Sequence, residues 1–299
     1  WSRLVGKGLG LEYDFFNLGL KELVKVRRTA DVTPVIREMR MVKDQTEIDF
    51  IREACRIADA AMAAILPLIR PGMTEREVSG LFDRRAKAGG AEETKARVRA
   101  GKRTALALSR WMGGKVFEGP LLINYGARVR GFWSDITRTF YLGRRPDPLF
   151  AEVYSLVLDG LHQGVAQLRT GRSIYEVERA VRRVFATAGH EEYMVYTAGH
   201  GIGLEIHEHP VLSLPPEAPE DMPELPDWSD SARMYRALVD MIAPDAAGGP
   251  CFQNGQTFAV EPGIYLERLG VRIEDMVLAG AEAEFLSTFP RRLEDVVIG

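Results

Sequence analysis

Cysteine is almost absent. Cys55 and Cys251 are the only two in 299 residues, and they do not stand in a CxxC spacing. That leaves no disulfide framework and no thiolate zinc site, and it implies a reducing, cytoplasmic compartment. Charge of either sign is not in excess: 39 basic and 42 acidic residues give a formal net charge of -3. Without a basic tract there is no footprint for nucleic acid. No apolar run approaches the roughly 20 residues needed to cross a bilayer, so no membrane partner is expected. No signal-peptide pattern opens the chain. It starts at Trp1 rather than Met, and we read it as a piece whose front portion is missing.

What remains has room for one large domain or two ordinary ones. Residues 1–40 are mixed in character and read as the tail or linker of something preceding, with the main domain over 41–299. Asp44 followed by Glu47 predicts a capped helix start. Ile48, Ile51, Ala54, Cys55, Ala58, Met62 and Ile65 then keep helical spacing as far as Pro67. Residues 70–78 and 169–177 repeat one pattern, Arg-x-Gly-x-Thr/Ser-x-x-Glu-Val, at an offset of 99. A helical segment precedes each copy. Thr74 or Ser173 opens another as an N-cap, and β-like sequence follows: 120–141 in the first half, 193–204 and 258–278 in the second. This predicts an α+β domain of two pseudo-symmetric halves. Between about 214 and 250 an acidic, proline-rich stretch reads as an irregular surface insertion, with a short helix over Arg233–Met241.

Five segments carry chemistry: Ile-Asn-Tyr-Gly at Asn124, Ser-Asp-Ile-Thr-Arg-Thr at Asp135, Gly-His-Gly-Ile-Gly at His200, Val-Glu-Pro-Gly at Glu261, and Arg-Ile-Glu-Asp at Glu274. Carboxylates with one imidazole suit a divalent Mn, Fe, Co or Zn ion. Two such ions sharing carboxylates can polarise an amide and generate hydroxide at neutral pH. An Asp inside a strand is disfavoured and needs a partner, for which Arg138 is the alternative to a metal. Glycines flank His200 and permit close backbone approach. His207 is seven residues on, so the two rings share one site only if the chain turns between them; His209 reads as a surface residue. Strand alternation puts Arg272 and Glu274 on one face, where a salt bridge is the alternative to ligation.

In order and spacing these segments resemble the catalytic domain of the metallopeptidases that include methionine aminopeptidase, aminopeptidase P and prolidase, the pita-bread fold shared with creatinase. The resemblance covers about residues 38–290, and Val-Glu-Pro-Gly-Ile-Tyr and Arg-Ile-Glu-Asp are specific to it. It implies that Asp135 and Glu274 bridge two metals, that His200 and Glu261 complete the first metal's ligands, that His207 steadies the tetrahedral intermediate, and that Arg272 orients a bridging carboxylate. It also implies a small peptide or amide substrate, most simply Xaa-Pro, and a homodimer. Two departures stand out. Asn124 falls where the family has an aspartate that clamps the second metal, eleven residues before Asp135. A neutral amide there weakens or removes the second ion, which leaves one or two ions per chain, and Asn124→Asp is expected to raise metal content from about one ion per chain to about two. Upstream, where the peptidases carry a substrate-contacting histidine, residues 103–115 have none and offer Ser109, Arg110 and Trp111. The competing readings are a creatinase-like hydrolase of a non-peptide C–N bond and a binding protein on an inactive scaffold.

Overall fold

The computed structural model describes residues 9–12, 29–107, 109, 111–214 and 251–299. The insertion expected at 214–250, except Leu214, and the helix expected at Arg233–Met241 lie outside the described residues. No helix among the described residues is long and apolar enough to cross a membrane.

Asp44 and Glu47 form the expected capping box: the Glu47 amide donates to Asp44 and the Asp44 amide to the Glu47 carboxylate, both at 2.9 Å. The helix they start spans Gln45–Ile65, and the seven apolar residues named from its spacing are all buried. Thr74 and Glu77 make a second capping box on the helix Glu75–Ala88. Ser173 behaves differently from its counterpart. The second-half helix begins at Tyr175 behind Ile174, and Ser173 Oγ accepts only the nearby Tyr175 amide at 3.3 Å. What the two copies do share is the glycine turn, with Gly72 at φ 92° and Gly171 at φ 85°, a region where a Cβ is penalised.

The helix pair Gln45–Ile65 and Glu75–Ala88 is answered by Pro148–Val165 and Tyr175–Thr187. Each pair covers one sheet. Two small strand pairs, β1 (Leu9–Leu11) with β2 (Thr29–Asp31) and β10 (Gly263–Tyr265) with β11 (Gly270–Arg272), stand apart from the two main sheets. The first sheet runs in the order β14 (Val297–Ile298), β6 (Ile136–Leu142), β4 (Gly119–Val129), β3 (Glu93–Ala100), with β5 (Phe132–Trp133) paired to β4. The second runs β13 (Glu284–Phe285), β12 (Asp275–Leu278), β9 (Thr257–Val260), β7 (Gly199–Gly201), β8 (Glu208–Leu212). One continuous apolar core draws on both halves. Strand β3 was absent from the sequence reading, which began the first β region at residue 120.

The sheets meet at Thr137 and Glu274. The Glu274 amide donates to the Thr137 carbonyl at 3.0 Å and the Thr137 amide to the Glu274 carbonyl at 3.2 Å. That junction is locked by Arg138, which is fully buried. Its guanidinium pairs with Asp275 at 2.7 Å and donates to the carbonyls of Glu274, Phe289, Pro290 and Thr137. At the front of the chain, the helix Thr33–Met41 is tied to this domain across the boundary expected at residue 40. Arg40 donates to Glu208 at 2.6 Å, and the buried Lys43 meets the same carboxylate at 3.1 Å.

Candidate active site

Of the seven residues singled out from sequence, all but His207 come from strands or the turns that end them, and the sheet junction gathers them. Asn124 lies within β4 and Asp135 just before β6. His200 is the middle residue of β7, Glu261 follows β9, and Glu274 sits between β11 (Gly270–Arg272) and β12. His200 is brought in by a register shift between His200 and Gly201 in the pairing of β7 with β8, the kind of irregularity that re-aims a side chain. Gly199 permits it. Its φ is 155°, and a Cβ there would stand 2.1 Å from the Ala259 carbonyl oxygen. Gly199→Ala is therefore expected to cost about 1–3 kcal/mol from backbone strain and to lower metal affinity through His200. Thermal unfolding with and without added Mn would read both, and an unchanged melting temperature would contradict the clash.

Asp135, His200 and Glu274 are buried, and each offers one ligand atom within 4.8 Å of the others'. His200 Nδ1 lies 2.9 Å from the Gly201 carbonyl. That carbonyl fixes the proton on Nδ1 and leaves the lone pair on Nε2, 3.7 Å from Glu261 Oε1. Glu274 uses only one of its oxygens. Oε2 accepts from Thr137 Oγ1 at 2.5 Å and from Asn124 Nδ2 at 3.1 Å, whereas Oε1 is buried with no hydrogen-bond partner. A bare carboxylate oxygen costs free energy in a buried site, and a divalent cation among Asp135, His200 and Glu274 would satisfy it. The donor set fits one such ion.

Arg272 does what strand alternation allowed, and more. Its Nη1 donates to Glu261 Oε2 at 3.1 Å, its Nε donates to Thr137 Oγ1 at 3.1 Å, and its Nη2 stands 3.8 Å from Glu274 Oε2. His207 does join His200. Bends over residues 203–207 bring the two ring centroids to 4.2 Å, with His207 at the exposed rim. Arg138 is not the partner of Asp135, because it lies on the far side of the strand, locked to Asp275.

The partner of Asp135 is Lys95, which the sequence reading missed. Lys95 Nζ donates to Asp135 Oδ2 at 2.6 Å, and Asn124 Nδ2 donates to Asp135 Oδ1 at 2.6 Å. Burial alone would raise the Asp135 carboxyl; Lys95 and His200 outweigh it and hold the group at about 2. Burial pushes Glu261 up to about 7 against the pull of Arg272. It does the same to Glu274, helped by the neighbouring carboxylates Asp135 and Glu261. Also missed were Tyr196 and Tyr265, buried beside Arg272 with their hydroxyls hydrogen-bonded to each other. A signal for Lys95 was present: in Lys95-Ala-Arg97-Val-Arg99-Ala, charge alternates with small apolar residues at the period of a strand. Of the stretch lacking the family histidine, Leu108 and Arg110 lie outside the described residues. Trp111 is exposed, with the Arg103 guanidinium 4.7 Å from its ring centroid.

Residues 49–281 match the profile of metallopeptidase family M24. The Xaa-Pro dipeptidase of Pyrococcus horikoshii is 32% identical over 280 residues, covering 91% of this chain and 70% of that protein. The Xaa-Pro dipeptidase of Pyrococcus furiosus is 31% identical over 262 residues, 86% of this chain and 66% of that protein. Among solved structures, the prolidase from Pyrococcus horikoshii superimposes with a TM-score of 0.82 at 29% identity, over 97% of this chain and 77% of that one. The X-Pro aminopeptidase from Thermotoga maritima gives 0.80 at 28% identity, over 97% and 76%. The chain thus spans 66–77% of the length of these relatives. A profile match over most of the chain, agreement with solved structures across both halves, and a buried group able to hold a metal at the junction lead to one assignment: the chain belongs to metallopeptidase family M24, in the prolidase-like branch of the pita-bread fold.

Proposed function

We propose that this chain hydrolyses small peptides of the Xaa-Pro type with one divalent ion, Mn, Co, Zn or Fe, held by Asp135, His200, Glu261 and Glu274. The observation that carries the proposal is the buried group Asp135, His200 and Glu274 with Glu274 Oε1 left without a partner, in a chain similar to Xaa-Pro dipeptidases. Such an ion supplies Lewis acidity toward a peptide carbonyl and lowers the pKa of water.

The chain's own residues supply the rest. Glu261, held by Arg272 at 3.1 Å, accepts a proton from the attacking water and delivers it to the leaving amine. Arg272 is a positioning residue, because it orients Glu261 and contacts Thr137, which in turn holds Glu274. His207, at the rim beside His200, stabilises the oxyanion of the tetrahedral intermediate. The ion pair of Asp135 with Lys95 keeps that carboxylate ionised across the working pH range. A homodimer and a reducing, cytoplasmic setting complete the proposal. The latter is supported by Cys55 and Cys251, both free.

The test is turnover of a short Xaa-Pro panel by chelator-stripped protein before and after addition of Mn, Co or Zn. Metal-dependent hydrolysis of an Xaa-Pro bond, lowered at least about 100-fold by chelation, is the expected result. A protein that binds metal but cleaves no Xaa-Pro bond would refute the substrate assignment. A protein that binds none would refute the metal assignment.

A further inference from the structure

We infer that Lys95 serves as a built-in cation in the place of a second metal ion, so that this site is mononuclear by construction and restoring the carboxylate at position 124 alone does not restore a second ion. The inference rests on the proposed function only in taking Asp135 as a metal ligand. It departs from the expectation drawn from the sequence, in which Asn124 by itself set the metal count.

The geometry gives both oxygens of Asp135 an internal donor. Oδ2 faces the ammonium of Lys95 and Oδ1 faces the amide nitrogen of Asn124, each at 2.6 Å. The two donors differ in strength. An amide N–H is neutral and leaves Oδ1 with a free lone pair for the ion shared with His200 and Glu274. The ammonium carries a full charge, its side chain is largely buried, and it would stand against any further cation at Oδ2 with little water to screen it. Asn124 Nδ2 also points at Glu274 Oε2, so the amide bridges the two carboxylates that a second ion would have to share.

Charge balance agrees. Asp135, Glu261 and Glu274 are the carboxylates of the site, and Lys95 and Arg272 are the basic side chains in contact with them. One divalent ion is enough to reverse the remaining negative charge, and a second would leave a buried surplus of positive charge that nothing here offsets. Position in the sheet explains why Lys95 reaches the site. Its Cα is paired with Gly126 across β3 and β4, two residues along from the pairing of Arg97 with Asn124. Lys95 and Arg97 therefore share one face of β3, the face to which Asn124 belongs.

The experiment counts Mn ions bound per chain in the wild type and in N124D, K95M, N124D/K95M and N124D/K95R, with electron paramagnetic resonance to detect an exchange-coupled Mn pair. The wild type, both single variants and N124D/K95R are expected to hold about one ion each. N124D/K95M is expected to hold about two and to show the coupled spectrum. Two ions in the wild type, in N124D or in N124D/K95R would overturn the inference, because each keeps a cation at position 95. So would a folded N124D/K95M that binds no more than N124D. If N124D/K95M does not fold, the count in N124D with Lys95 intact still decides. An ion-free wild type would refute the proposed function, whereas this inference is read from the difference between N124D and N124D/K95M.

Discussion

Glu274→Gln is expected to lower metal affinity by more than about 100-fold, beyond what losing an outer hydrogen-bond partner of a metal ligand costs, and to abolish metal-dependent turnover with it. Glu274 is the residue at which the sheets join, and its side chain divides its work between two oxygens. Oε2 is fully engaged by Thr137 and Asn124. Oε1 is the buried, unpartnered atom. Glutamine keeps the shape and can keep one oxygen toward Thr137, but it then sets a neutral NH2 where the bare oxygen stood. The cluster loses a negative charge and gains a donor facing the cation. Because glutamine is isosteric, the fold should survive. The stabilisation of the wild type by added Mn should vanish from thermal unfolding while the metal-free melting temperature changes little or rises. A variant that binds Mn like the wild type would remove Glu274 from the ligand set.

Arg138→Met is expected to cost about 3–5 kcal/mol of stability, a fall in melting temperature of about 10 °C for a domain of this size. Few of the described side chains are as completely buried or as heavily used. The guanidinium satisfies Asp275 and four backbone carbonyls, among them that of Glu274. Methionine fills similar volume but donates nothing. Arg291 and Ser287 still hold Asp275, at 2.6 and 2.5 Å, so the carbonyls account for much of the loss. Asp275→Asn in the same chain should therefore recover only part of it. Since the Glu274 carbonyl is one of those released, metal affinity should fall as well, by about 10-fold. Chemical unfolding and Mn titration read the two effects separately. A loss below about 1 kcal/mol would show that water replaces the guanidinium at the junction.

Local signals in the sequence were legible where the cause is local. A capping box needs two residues three apart, so Asp44 with Glu47 could be read directly, and the helical stripe from Ile48 to Ile65 is a pattern internal to one element. Ser173 shows the limit. It occupies the position of Thr74 in the repeat, yet the chain enters the second helix through Ile174, so a good capping residue does not cap. The candidate metal-holding residues were legible as a set because each sits in a short segment with its own signature. Lys95 was not, although its strand alternates cleanly. Alternation says which residues share a face, and it does not say what the face looks at.

The order of short motifs along the chain carried the resemblance to the family and the candidate metal-holding residues it implies, and the repeat at an offset of 99 carried the α+β pattern of two related halves. How those residues divide their charge came from the packing of the two sheets. Which oxygen of Glu274 stays bare, that Arg138 belongs to Asp275 rather than Asp135, and that a lysine from a neighbouring strand takes the second oxygen of Asp135 all depend on distances of a few ångströms between segments 40 to 150 residues apart. Electrostatic energy in a buried site is set by those distances and by the exclusion of water, and neither is written in the order of residues along the chain.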